Sequence, residues 1–231
     1  MIVADYIANY LKKKKIENIF MLTGYGAMYL NDSIKKAKIR YYATRNEATA
    51  PIMAASYGRV KKDIGVACVT AGPGATNAIP GLAEAFVDSS PIVVISGQVE
   101  KQHTTISTNS KTIRTFGTAE INIEPIVKNL TKYSKTILDA QEVKYILDKA
   151  FYLSKSGRPG PVWIDVPLDI QRQDIDINKL KSFKPKKSKE KNNYSYFGKI
   201  IKSIKKSKKP IIVCGQGVKF SSTFSKIYND I

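Results

Sequence analysis

Apolar positions along the first part of the chain alternate between helical spacing and short continuous runs. Ile2, Tyr6, Ile7, Tyr10 and Leu11 form one helical stripe, and the run Asn18-Ile-Phe-Met-Leu22 behind it predicts a strand. The unit repeats: a helix from Ala27 through Ile34 leads to a strand over 39–43, and a small-residue helix over 48–60 leads to a strand over 64–70. A further helix is predicted over 77–87. Pro91-Ile-Val-Val-Ile-Ser96 is apolar without alternation, the pattern of a strand covered on both faces. Beyond a polar stretch from Gln98 to Thr112, residues 127–137 predict a strand, 141–154 an amphipathic helix and 161–166 a last strand. This alternation predicts an α/β domain over 1–171, a doubly wound, mostly parallel sheet with helices on both faces.

Charge changes the picture only behind that domain. The net charge of +19 suggests nucleic acid at first, but thirteen lysines against the single acid Glu190 fall between Lys179 and Lys209, leaving +7 for the other 200 residues. Lys184-Pro-Lys-Lys-Ser-Lys-Glu-Lys-Asn-Asn193 has almost no apolar residue, so 172–194 reads as a solvated basic linker. A bare lysine run guarantees only unspecific phosphate attraction, and specific nucleic-acid binding is not expected. Residues 195–231 then offer one helix, over 196–207, and one strand, over 210–214. These elements cannot bury a core alone, so this part is expected to be the truncated start of a second α/β domain.

Composition excludes several classes. With 43% hydrophobic and 25% charged residues the chain is neither disordered throughout nor collagen-like. No apolar run approaches the ~20 residues of a spanning helix, so no membrane partner is expected. Asp5 stands where an export signal would be basic, and Cys68 and Cys214 lie far apart without metal spacing. Both cysteines are expected to be reduced thiols of a cytoplasmic protein.

Two segments suggest chemistry. Thr70-Ala-Gly-Pro-Gly-Ala-Thr-Asn77 joins a strand end to a helix start, where open parallel sheets bind ligands and where glycines let backbone come close. It fits neither the dinucleotide fingerprint nor a Walker loop, and a plain tight turn would look the same. Glu47, between a strand and a helix in Thr44-Arg-Asn-Glu-Ala-Thr-Ala-Pro51, is either a helix N-terminal carboxylate or an acid that holds a proton on a ligand. The lone His103 lacks a nearby nucleophile or second ligand and is left out of the site.

Together with Tyr57-Gly-Arg, Gly65-Val-Ala-Cys-Val-Thr-Ala-Gly-Pro-Gly-Ala-Thr-Asn-Ala78 and Asp88-Ser-Ser-Pro-Ile-Val-Val-Ile-Ser-Gly-Gln-Val99, these segments resemble the pyrimidine-binding domain of thiamine diphosphate enzymes, in their acetolactate synthase-like branch. Gly157-Arg-Pro-Gly-Pro-Val-Trp-Ile-Asp-Val-Pro167 is similar to that domain's closing strand, and Lys209-Pro-Ile-Ile-Val-Cys-Gly-Gln-Gly-Val218 to the start of the central domain. The resemblance implies that Glu47 is catalytic: it hydrogen-bonds N1′ of the aminopyrimidine and supports the imino tautomer that removes the thiazolium C2 proton. It also implies that Thr70, Pro73 and Asn77 line the pyrimidine pocket, that Thr23 and Gly24 approach the cofactor from the first loop, and that Gln98 is an outer partner of the same site.

The implied reaction is decarboxylation of a 2-keto acid, pyruvate, and transfer of the two-carbon unit to a carbonyl acceptor, as in branched-chain amino acid biosynthesis. The family holds the cofactor's diphosphate through Mg²⁺ on a Gly-Asp-Gly segment and an Asn, oxygen ligands suited to a hard cation. No Gly-Asp-Gly occurs here, so no metal ligand is assigned to this chain. A partner chain's diphosphate-binding domain, in a homodimer or homotetramer, is expected to supply them, and FAD is left open as a second cofactor. The chain departs from the pattern at Asn46 and Ala48, where His and Gln flank the glutamate, and at Ala119 in Gly117-Thr-Ala-Glu120, where the family has Gln. Those departures keep three alternatives: a carboligase acting on another acceptor such as a keto sugar, a split 2-keto acid decarboxylase subunit, and a catalytically dead binding protein.

Overall fold

The computed structural model describes residues 1–108, 110, 112–185, 195–211, 213, 215, 217 and 218. In chain order the elements are α1 (Val3–Lys13), β1 (Asn18–Met21), α2 (Met28–Lys36), β2 (Arg40–Ala43), α3 (Thr49–Lys61), β3 (Gly65–Val69), α4 (Pro73–Asn77) and α5 (Ile79–Val87). They continue with β4 (Ile92–Gln98), α6 (Ile123–Val127), β5 (Tyr133–Thr136), α7 (Val143–Lys155), β6 (Val162–Pro167), α8 (Leu168–Arg172) and α9 (Ser195–Lys206). The six strands form one parallel sheet in the order β2-β1-β3-β4-β6-β5, the expected α/β architecture.

Strand register explains why the central strands are apolar at every position. Phe20, Ala67, Val94 and Trp163 stand in one row across the sheet and face the core under α3, α5 and α6. The next row, Met21, Cys68, Ile95 and Ile164, faces the core under α1, α2 and α7. Successive side chains point to opposite faces, so a strand covered on both sides has no polar face to alternate with. Strand β2, at the sheet edge, is exposed along its length.

Connections leave β1 toward β2 and leave β3 toward β4, so the strand order reverses between the neighbours β1 and β3. In open parallel sheets that reversal opens a crevice at the carboxyl ends of the strands, and the loops behind β1 and β3 meet there.

Two segments differ from expectation. The strand read over 127–137 is confined to β5, because Ile123, Val127 and Leu130 follow helical spacing and pack on the Trp163 side as α6 and a 3₁₀ turn, Lys128–Leu130. Residues beyond Gln171 stay on the same compact unit, Met1–Lys184. Asp174 bridges to Ile2, Ile175 and Leu180 are buried, and the Phe183 ring meets Tyr145 and Tyr152 at 5.6 and 5.7 Å. Ile175, Leu180 and Phe183 provide that anchorage, whereas Ile177 in the same stretch is exposed. The second unit spans Pro185–Ile231 and contains α9; residues 186–194 of the linker sequence and Cys214 lie outside the described residues. Cys68 is a free, buried thiol whose burial pushes its pKa up to about 12.

Candidate functional site

The turn from β3 into α4 begins at Thr70. Gly72 sits at φ +56°, in the region that favours glycine, and a Cβ there would meet the Ala119 carbonyl. Pro73 opens α4 at the first helical position, where its missing N–H costs nothing, and Asn77 ends the same helix. The sequence pattern starts a helix at Asn77; the structure instead makes it the last residue of a short turn of helix, and this points its amide at Glu47.

Glu47 lies between β2 and α3. Its Oε2 accepts a hydrogen bond from Asn77 Nδ2 at 2.6 Å. Its Oε1 faces Gly74, where a Cβ would lie 3.2 Å from that oxygen and 2.5 Å from Thr70 Cγ2. Glycine at 74 therefore keeps one carboxylate oxygen open while Asn77 orients the other. Among the described residues no further hydrogen bond to this carboxylate is formed.

The loop behind β1 reaches the same place. Gly24 is seated so closely on Thr70 that a Cβ would stand 2.5 Å from Thr70 Oγ1, and Thr70 Oγ1 accepts the Gly26 N–H at 3.1 Å. Thr23 is exposed beside it, and Pro73 is exposed on the turn. Glu47, Asn77, Thr70, Pro73, Thr23 and Gly24 are thus carried by three adjoining segments at one end of the sheet. A carboxylate with one oriented and one accessible oxygen, between close-approach glycines, suits a flat ligand with an N–H to donate, and an aminopyrimidine protonated at N1′ is such a ligand.

Gln98 stands apart. It is buried, and its Nε2 donates to the Ile121 carbonyl at 2.9 Å and to Asp165 Oδ2 at 3.2 Å, while Oε1 accepts Val99 N–H at 3.0 Å. Its polar atoms are committed to Asp165 of β6, to Val99 just behind β4 and to the segment before α6. Asp165, fully buried on β6, has no signal in the sequence: Ser96 Oγ donates to it at 2.5 Å and itself accepts Trp163 Nε1–H at 2.8 Å. Burial pushes the Asp165 pKa up to about 7 against the opposing hydrogen bonds of Ser96 and Gln98.

The positions that depart from the family pattern have local duties. Asn46 Oδ1 accepts the Ala48 N–H at 2.9 Å and so braces the entry to α3. Ala119 adopts φ +58°, and its carbonyl occupies the space Gly72 leaves open. Glu120 is buried and spends its carboxylate on Thr105 N–H, Thr105 Oγ1 and Phe116 N–H, which closes the loop on itself. His103 is exposed, 3.9 Å from Glu100. Among the described residues no group of three or more His, Cys, Asp or Glu side chains could hold a metal ion, and no helix is long and apolar enough to cross a membrane.

Known proteins similar to this chain are found along nearly its whole length. The family model for the thiamine pyrophosphate enzyme N-terminal TPP binding domain matches residues 1–122. The chloroplastic acetolactate synthase of Arabidopsis thaliana is 32% identical over 225 residues, 95% of this chain and 32% of the relative. The acetolactate synthase large subunit of Cyanidium caldarium is 35% identical over 222 residues, 91% of this chain and 36% of the relative. That of Buchnera aphidicola from Schizaphis graminum is 34% identical over 232 residues, 97% of this chain and 38% of the relative. The chain spans about a third of the length of these curated relatives.

Proposed function

The chain belongs to the thiamine pyrophosphate enzymes through their N-terminal TPP binding domain, and from that membership we propose that it forms the pyrimidine half of an acetolactate synthase-type active site. The assembled enzyme decarboxylates a 2-keto acid, pyruvate, and passes the two-carbon unit to a second carbonyl compound. The observation that carries this reading is the Glu47 carboxylate, oriented by Asn77 at 2.6 Å and left accessible by Gly74.

When bound, thiamine diphosphate supplies the carbon nucleophile and electron sink that a protein side chain cannot. The chain's own residues bind, orient and manage a proton. Glu47 would accept a hydrogen bond from a protonated N1′ with its accessible oxygen, which favours the proton on that ring nitrogen, while Asn77 fixes the carboxylate plane. Gly24 and Gly74 keep the space beside Thr70 and the Glu47 carboxylate clear of side chains, where the ring would be held. Thr70 ties the loop behind β1 to the turn behind β3, so the two walls keep one spacing.

Mg²⁺ and the diphosphate belong to the diphosphate-binding domain of a partner chain, in a homodimer or homotetramer. Residues 195–231 begin a second domain in this reading. In the assembled enzyme Glu47→Gln tests the assignment: C2 proton exchange of bound cofactor, followed by NMR, should slow by ~10² or more, the scale of lost acid-base assistance. An unchanged exchange rate removes Glu47 from its role.

A further inference from the structure

Gln171 lies on α8, distant in sequence from every candidate above, and it is completely buried. A buried amide is retained only where its polar atoms find partners, and those of Gln171 do. Nε2 donates to the Gly26 carbonyl at 2.6 Å and to the Val166 carbonyl at 2.8 Å, and Oε1 accepts the Leu30 N–H at 3.3 Å. One side chain thus joins the end of β6, the start of α2 and the loop behind β1.

That loop is held from two directions. The Gly26 N–H goes to Thr70 Oγ1 at 3.1 Å, and the Gly26 carbonyl goes to Gln171. The carbonyl runs through the space that a Cβ on Gly97 of β4 would fill, so no residue larger than glycine at 97 would let it reach Gln171. Ala27 N–H closes the turn onto the Gly24 carbonyl at 3.1 Å. With both polar groups of Gly26 fixed, Gly24 has one height above the sheet, the height at which it touches Thr70.

We propose that Gln171 is a positioning residue for the cofactor-facing loop, holding Gly26 down toward β6 so that Gly24 stays seated on Thr70 beside the pyrimidine site. The inference rests on the reading of that loop as part of the thiamine site. A leucine or methionine would fill the same volume for packing alone; only an amide pairs two carbonyls and one N–H at once.

The test uses the 231-residue chain, NMR amide exchange and titration with thiamine diphosphate. Gln171→Met keeps volume and removes the polar atoms. It should speed exchange of the Gly26 and Leu30 amides, leave the β3 and β4 amides protected, and weaken binding roughly tenfold, the effect of leaving buried partners unpaired. Gln171→Glu should behave likewise at high pH and recover in part as pH falls, where the buried acid, set against two carbonyls, holds a proton and donates to one of them again. Normal Gly26 exchange and normal affinity in both folded variants would overturn the proposal, as would two variants unfolded at every pH, the mark of a purely structural anchor. Failure of the site reading looks different: the unmodified chain itself would show no thiamine diphosphate shifts at Gly24, Glu47 and Thr70, and the role given to Gln171 would fall with it.

Discussion

Asn77 donates its side-chain amide to Oε2 of Glu47 at 2.6 Å, across thirty residues of sequence. The contact joins the end of α4 to the turn before α3, and it leaves the second carboxylate oxygen facing Gly74.

Because Asn77 is exposed, Asn77→Ala should change folding stability by less than about 1 kcal/mol. Turnover of the assembled enzyme should still fall roughly tenfold, since the lost hydrogen bond frees the carboxylate to rotate. Asn77→Asp sets a second carboxylate against Glu47 and should reduce turnover further. Equal losses in the two variants, measured beside their melting temperatures, would mean that orientation of Glu47 is not what Asn77 provides.

Gly74 separates space for folding from space for ligand. In Gly74→Ala the new Cβ stands 2.5 Å from Thr70 Cγ2, an overpacking that costs ~1–3 kcal/mol. Adding Thr70→Ser removes that methyl and keeps the hydroxyl that accepts Gly26 N–H, so the melting temperature should return. Cofactor binding should not return, because the Cβ still lies 3.2 Å from Glu47 Oε1. Binding that recovers together with stability would show that the open oxygen is not used.

Much of this arrangement is legible in the sequence, for local reasons. Pro91-Ile-Val-Val-Ile-Ser96 has to be a doubly covered strand, and the Gly-Pro-Gly turn has to follow a strand end. Glu47 is legible by its position between strand and helix. What is hidden depends on partners far along the chain. Gln98 and Gln171 look alike as polar residues near strand ends, yet one is consumed by Asp165 and Ile121 and the other by Gly26 and Val166. Asp165 sits in an apolar run that names no partner, since Ser96 reaches it only through the pairing of β4 with β6. The 127–137 segment misleads because Val127 and Leu130 serve either period until Ile123 is counted with them.

Asp165 gives the fold a pH dependence with a definite sign. Its pKa rises from 3.8 to about 7 on folding, so the native state holds the proton more tightly than the unfolded chain. That contribution is fully present below about pH 4 and is lost as pH rises to about 7, with an upper bound of roughly 4 kcal/mol. Urea unfolding between pH 4.5 and 8 should show stability falling across this window, and Asp165→Asn should remove the fall. A wild-type curve parallel to that of the variant would show that Asp165 keeps an ordinary pKa in place.

The isolated 231-residue chain should bind thiamine diphosphate weakly, without help from Mg²⁺, and should release no carbon dioxide from pyruvate. Most of the cofactor's charge sits on the diphosphate, which a hard cation bridges to carboxylate and amide oxygens. The sequence has no Gly-Asp-Gly segment to supply them, and the described residues gather no acidic cluster in their place. Glu47, Thr70, Pro73 and Asn77 offer contacts at the pyrimidine end only, and a few contacts in a half-open site must first offset the ordering cost of association. Titration calorimetry with and without Mg²⁺, run beside a carbon dioxide release assay, separates the cases. Weak binding that ignores the metal is the expected result, and addition of a diphosphate-binding domain should then restore metal dependence and turnover together. Tight, Mg²⁺-dependent binding by this chain alone would place a diphosphate site within its own 231 residues and overturn the division of the active site between two chains.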